Sequence, residues 1–225
     1  RLRRSRVSRL IWLLAALGIA ALAVVVVIWR DDGGESPAGS SEPTLVEVAG
    51  HPLAVPVNAL RFADQRRPGP HPRLDLALLA PEMQGRDETN TARFDVAGEP
   101  PDVVWLTLAP VGGEMDSAGR LATIYRRFLV GDPLAPIAGL DGRHLSPKAG
   151  YGGEEVWYEP GVVHPFVARC WPLVPGGEPT TCHHEEAVAG LMIGWRFPKA
   201  MLATWAETRE RLRARLAQWG VPREP

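Results

Sequence analysis

The chain has 225 residues, 25 basic and 26 acidic, for a formal net charge of -1. Five of the basic residues precede the first apolar run, so the remaining 20 face 26 acids and the rest of the chain carries about -6. A mildly acidic body argues against a nucleic-acid-binding surface, and the 45% hydrophobic fraction is that of an ordinary globular chain.

Residues 10–29, from Leu10 to Trp29, read LIWLLAALGIAALAVVVVIW without a charged residue. A helix crossing the hydrocarbon core needs about 20 apolar residues, and it satisfies its own backbone in lipid. Trp12 and Trp29 lie near its ends, where amphipathic rings favour the interface. Arg1, Arg3, Arg4, Arg6 and Arg9 precede the run, while Asp31, Asp32 and Glu35 follow it. The positive-inside rule then predicts a cytoplasmic tail over 1–9, a transmembrane helix over 10–29 and an extracytoplasmic remainder. A cleaved signal peptide is the competing reading. Its apolar region would be about 7–15 residues, followed by a small-residue cleavage site; this run is longer and ends in Ile28-Trp29-Arg30.

Residues 30–44 contain DDGGESPAGSSEPT, a composition that predicts a flexible linker. The soluble domain is expected over 45–225. LVEVAGHPLAVP alternates apolar and polar residues about Ala-Gly-His-Pro and predicts a strand, a tight turn and a strand. RFADQRRPGPHPR reads as a proline-rich basic loop that could meet anionic headgroups or cell-wall polymer. LDLALLAP predicts a central strand, EMQGRDETNTAR a polar loop, and DVVWLTLAP the strongest strand.

A short helix is expected from Ser117 to Val130, capped by Asp116 or Ser117. Leu121, Ile124, Tyr125 and Phe128 would share its apolar face. Residues 131–153, rich in Gly and Pro, read as irregular. EEVWYEP and VVHPFVARCW predict a hairpin, and EEAVAGLMIGWRF one last strand bent at Gly190 or Gly194. The chain closes with an amphipathic helix from Lys199 to Trp219, with Leu202, Trp205, Leu212, Leu216 and Trp219 at helical spacing and Arg209 in the remaining slot. Four arginines between 209 and 215 would line its exposed side. The predicted fold class is α+β: a transmembrane helix, then a mostly antiparallel sheet and the C-terminal helix.

Cys170 and Cys182 lie in the exported part, where an oxidising compartment favours a disulfide. WPLVPGGEPTT between them reads as a hairpin loop. Free thiols, a redox pair or a metal site compete, but the C-x-x-C spacing of a redox pair is absent. The densest polar cluster is Cys182-His183-His184-Glu185-Glu186. It holds zinc-ligand types: Cys170, Cys182 and one histidine could form a three-ligand site if the thiols stayed reduced, and His183 or His184 with Glu186 and a remote His164 is a second candidate metal set. Adjacent strand residues face oppositely, however, and no HExxH spacing is present. Glu154, Glu155 and Glu159 could supply a carboxylate pair, and His144 beside Ser146 a nucleophile. The strand alternation and the lack of a GxSxG elbow weigh against both. Eight tryptophans are present, six of them in the domain, where filling the core is their simplest role.

No cofactor is implied. The arrangement resembles that of single-span bacterial envelope proteins. The expectation is a non-enzymatic protein of the inner membrane, anchored in the bilayer, whose periplasmic domain binds a protein partner or an envelope component. An envelope hydrolase and a small-ligand or glycan-binding module are the alternatives.

Overall fold

The computed structural model describes residues 39–96, 100–178 and 180–223. The expected span from Leu10 to Trp29 lies outside them. Among the described residues no helix is long and apolar enough to cross a membrane.

The first hairpin forms where the alternation places it: β1 (Pro43–Val48) and β2 (His51–Pro56) pair antiparallel. Their connection, Ala49-Gly50, has φ of 52° and 80°. Two left-handed residues give the turn whose twist matches that of the flanking strands. The same device recurs at Ala138-Gly139 (47° and 83°) and Ala189-Gly190 (49° and 84°). β3 (Gly69–Pro70) adds a short parallel pairing to β1.

The main sheet has eight strands: β4 (Leu74–Leu79), β5 (Val103–Pro110), β6 (Leu129–Ile137), β7 (Leu140–Leu145), β8 (Glu155–Tyr158), β9 (Val167–Trp171), β10 (Thr181–Val188) and β11 (Leu191–Pro198). Their spatial order is β4-β5-β11-β10-β9-β8-β7-β6, and every neighbouring pair is antiparallel.

Three expectations are corrected. Residues 131–153 are not irregular, since they hold most of β6 and all of β7. Pro133 and Pro136 break the apolar alternation of β6, and such a strand survives only at an edge, where it stands. EEAVAGLMIGWRF is not one strand but the facing halves of β10 and β11, because Ala189-Gly190 closes a hairpin. β4 is apolar but for Asp75, yet terminal in the sheet. Bridges Leu60–Leu76 and Leu79–Gln84 cover its outer edge, so all six of its residues are buried.

Helix α1 (Ser117–Thr123) is shorter than expected. Asp116 caps it by accepting from the Gly119 amide at 2.7 Å, and a single 3-10 turn, Tyr125–Arg127, carries the chain into β6. Helix α2 (Trp205–Gln218) follows a 3-10 segment, Lys199–Thr204, at the expected place. Gly220, at φ 103°, ends it. A Cβ there would stand 2.9 Å from the Pro52 carbonyl oxygen, and the Trp219 carbonyl accepts from the Ala54 amide at 2.8 Å. The helix end is thereby fastened to β2.

One face of the sheet, with Leu106, Trp195, Phe197, Cys170 and Cys182, packs against α2 and the β1–β2 hairpin to form the main core. On the other face Leu121 and Tyr125 pack against Leu145, Val156 and Val167. Trp157, Trp195, Trp205 and Trp219 are buried as expected; Trp105 and Trp171 are only half-buried, on the second face.

Cys170 and Cys182 stand directly opposite each other on β9 and β10 and form a disulfide. Closing so short a loop stabilises by about 3 kcal/mol in the chain-entropy model. The double substitution Cys170→Ala/Cys182→Ala should therefore lower the unfolding free energy by about that amount in denaturant titration, and reducing agent should not shift the variant further.

Candidate functional site

The alternation of β10 splits the Cys-His-His-Glu-Glu run between two environments. Cys182, His184 and Glu186 face the main core. The His184 ring stacks on Phe166, centroids 4.5 Å apart, and meets Trp195 edge-on at 5.4 Å. Its Nδ1 lies 2.8 Å from the Val167 carbonyl oxygen, which can only accept, so Nδ1 carries a proton. Its Nε2 lies 3.6 Å from the Glu186 carboxylate.

Glu186 also receives Arg213 at 2.6 Å and Arg209 at 2.9 Å from α2. Burial opposes its ionisation, but His184, Arg213 and Arg209 outweigh this and hold its carboxyl well below the usual range. The arginines of α2 thus do not simply line an exposed side. Two turn onto the sheet, and Arg211 pairs with Glu207 on the surface at 2.7 Å.

A depressed carboxyl contributes stability that is present above its ordinary value of 4.5 and is lost as pH falls below it. Glu186→Gln should cost about 1–3 kcal/mol at pH 7, because the two guanidiniums exchange a charged two-oxygen acceptor for a single neutral carbonyl oxygen. The gap to the native protein should narrow below about pH 4.5 in pH-dependent unfolding.

The other candidate residues fall apart in space. The sheet separates His183 from His184 and Glu186, and His164 is exposed in the β8–β9 loop. Among the described residues no group of three or more His, Cys, Asp or Glu side chains could hold a metal. Glu155 points into the core, where it accepts from Trp157 Nε1 at 2.8 Å and pairs with Lys199 at 2.7 Å. Glu154 instead meets Arg169 at 3.4 Å. Both acids are engaged, on opposite sides of the strand. His144 is exposed on β7.

The second face of the sheet carries a feature that no local motif announces. Strand registers bring Trp105, Arg196, His183, Arg169, Val156 and Arg143, from six successive strands, into one line. At about 4.8 Å per strand that line runs some 24 Å across the sheet. Arg61 stacks over Trp105 at 4.3 Å, Arg196 lies 5.7 Å from the same ring, and Arg169 lies 5.6 Å from Trp171. These distances are within the range of cation–π attraction. Asp75 balances the Trp105 end. It is buried and hydrogen-bonded by Arg73, by Gln65 at 3.1 Å and by Thr107 at 3.1 Å.

Near the middle of the line α1 roofs a cavity of about 250 Å³ lined by Ser117, Arg120, Ile124, Tyr125, Tyr151, Arg169 and His183. Arg120 pairs with Glu185, and Ser117 Oγ accepts from the Glu185 amide at 2.9 Å. Burial is the main cause that pushes the His183 pKa down to about 4; Glu185 opposes it, while Arg120 and Arg169 reinforce it. Burial likewise raises the Tyr125 phenol, which therefore stays protonated and able to donate. Gly194 on β11 makes room for the imidazole, since a Cβ there would stand 3.3 Å from His183 Nε2.

No protein-family model matches the chain, and no curated protein matches it. Solved structures do share its fold. An immunity protein of the Stenotrophomonas maltophilia type IV secretion system is 13% identical and superposes with a TM-score of 0.55, covering 80% of this chain and 94% of that one. The Neisseria meningitidis iron-regulated outer membrane lipoprotein FrpD is 8% identical, with a TM-score of 0.52, covering 83% of this chain and 96% of that one. The class defined is therefore an antiparallel α+β domain of the architecture found in those two proteins. At such identities the likeness establishes the fold and carries no residue's role across.

A base whose folded pKa lies below its unfolded value contributes stability that is full above the unfolded value and is lost as pH falls toward the folded one. For His183 that window runs from 6.5 down to about 4, worth on the order of 3 kcal/mol. His183→Gln should flatten the rise in unfolding free energy between pH 4 and 6.5 relative to the native chain.

Proposed function

We propose that this is a non-enzymatic, membrane-tethered envelope protein whose domain binds another protein or an envelope component. The anchor of this reading is the Leu10–Trp29 helix in the bacterial inner membrane, with residues 1–9 in the cytoplasm and the domain in the periplasm. The observation that carries the binding role is the line of arginines on the second face of the sheet, with the half-buried Trp105 at its end and Trp171 beside it. Arginine and tryptophan are the residue types enriched where binding energy concentrates in protein interfaces. Here they are held on paired strands, so little order has to be acquired on binding. The shared fold supports the reading, since one neighbour is an immunity protein of a secretion system and the other an outer membrane lipoprotein. A metal-dependent hydrolase using His183, His184 and Glu186 gains no support from the geometry, because the sheet stands between the first residue and the other two.

Full-length protein extracted from membranes in mild detergent and crosslinked should retain a stoichiometric partner. Arg61→Glu with Trp105→Ala, folded by circular dichroism, should weaken that retention at least about tenfold. Recovery of the chain without a partner in several detergents, or a partner indifferent to both substitutions, would overturn the proposal.

A further inference from the structure

The cavity under α1 has a chemistry of its own. Its polar lining is made of donors: two guanidiniums, two phenols, an imidazole and a serine hydroxyl. A guanidinium carries five N–H groups, and the contacts of Arg120 with Glu185 and of Arg169 with Glu154 each involve one nitrogen. Ser117 Oγ already accepts from a backbone amide, which leaves its own proton to donate. Ile124 adds an apolar wall. The complement of such a lining is an acceptor-rich head on a short aliphatic stem.

Charge narrows the choice further. Glu185 and Glu154 already balance the two arginines, so the site is close to neutral and would poorly neutralise a dianion. The cavity, at about 250 Å³, is also below the roughly 300–1,000 Å³ of pockets that take drug-sized ligands. It has room for one inserted side chain or a small acid, not for an oligosaccharide.

We infer that this cavity is a carboxylate-binding site, filled by an acidic side chain of a partner lying across the arginine–tryptophan line or by a small organic acid. The partner as source rests on the function proposed above; the carboxylate site does not. Arg169 and His183 belong to both the line and the cavity, so an acidic side chain entering from a partner on that face would meet them directly.

The test uses the full-length chain in detergent, titrated calorimetrically with butyrate, with its neutral counterpart butyramide, with inorganic phosphate and with the blocked peptide acetyl-Gly-Glu-Gly-amide. Butyrate should bind saturably, in the millimolar range expected of so small a ligand, and at least tenfold more tightly than butyramide or phosphate. Arg169→Gln should weaken it at least tenfold. Tyr151→Phe, which removes a single hydroxyl, should weaken it about fivefold with the fold intact. Peptide binding at similar strength assigns the site to a partner's side chain; exclusion of the peptide while butyrate binds assigns it to a free acid. Equal binding of butyramide or phosphate, or butyrate binding unaltered in both variants, overturns the inference. Arg61 and Trp105 lie outside the cavity lining, so failure of partner retention and failure of carboxylate binding are separately visible.

Discussion

Neighbouring residues of β10 must point to opposite faces of the sheet, and β10 is flanked on both sides by β9 and β11. That two-residue period governs both layers of the domain. The even-numbered residues Cys182, His184 and Glu186 supply a disulfide, a stacked ring and the acceptor for two arginines of α2. The odd-numbered residues His183 and Glu185 supply one wall of a cavity and the partner of Arg120. A one-residue slip in register would send the disulfide and the Glu186 cluster to the wrong layer.

The core and the cavity are consequently linked through one strand. Glu186 draws Arg209 and Arg213 inward, and the apolar residues of α2 at helical spacing seat against Trp195 and its neighbours. Burying a carboxylate is costly unless its oxygens are satisfied, and here charged donors from a second element satisfy them. The same cost applies to Asp75 at the far side of the sheet, where Arg73, Gln65 and Thr107 converge. Both clusters also specify pairing, because each carboxylate finds its donors in only one arrangement of the elements around it.

The edges of the sheet are guarded against strand addition. β6, one terminal strand, is interrupted by Pro133 and Pro136 and has irregular register with β7. β4, the other, is covered by the bridges from Leu60 and Gln84. Such devices discourage an added strand. The second face instead presents the guanidiniums of Arg61 and Arg196 against the Trp105 ring. On the binding role proposed above, such a face would favour acidic partners.

Local pattern was enough to read the first hairpin, β5, the hairpin of β8 and β9, the paired cysteines and the C-terminal helix, because each has a period or a spacing that nearby residues impose. Local pattern misled where a strand lacked alternation, as in β6, or where Ala-Gly closed a hairpin inside an apolar run, as between β10 and β11. It also showed that His183 and His184 could not share one face, which removed the apparent metal cluster. It could not show what each would meet instead. Trp105 lies on β5, far in the chain from Arg169, His183 and Arg196 on the consecutive β9, β10 and β11, and only the sheet order sets the four in one line. Arg120 reaches Glu185 because α1 folds back over β9 and β10. The sequence by itself determined the elements whose apolar period or turn is local. The tertiary structure decided the site, since the neighbours of a strand are chosen by pairing and packing across the whole domain.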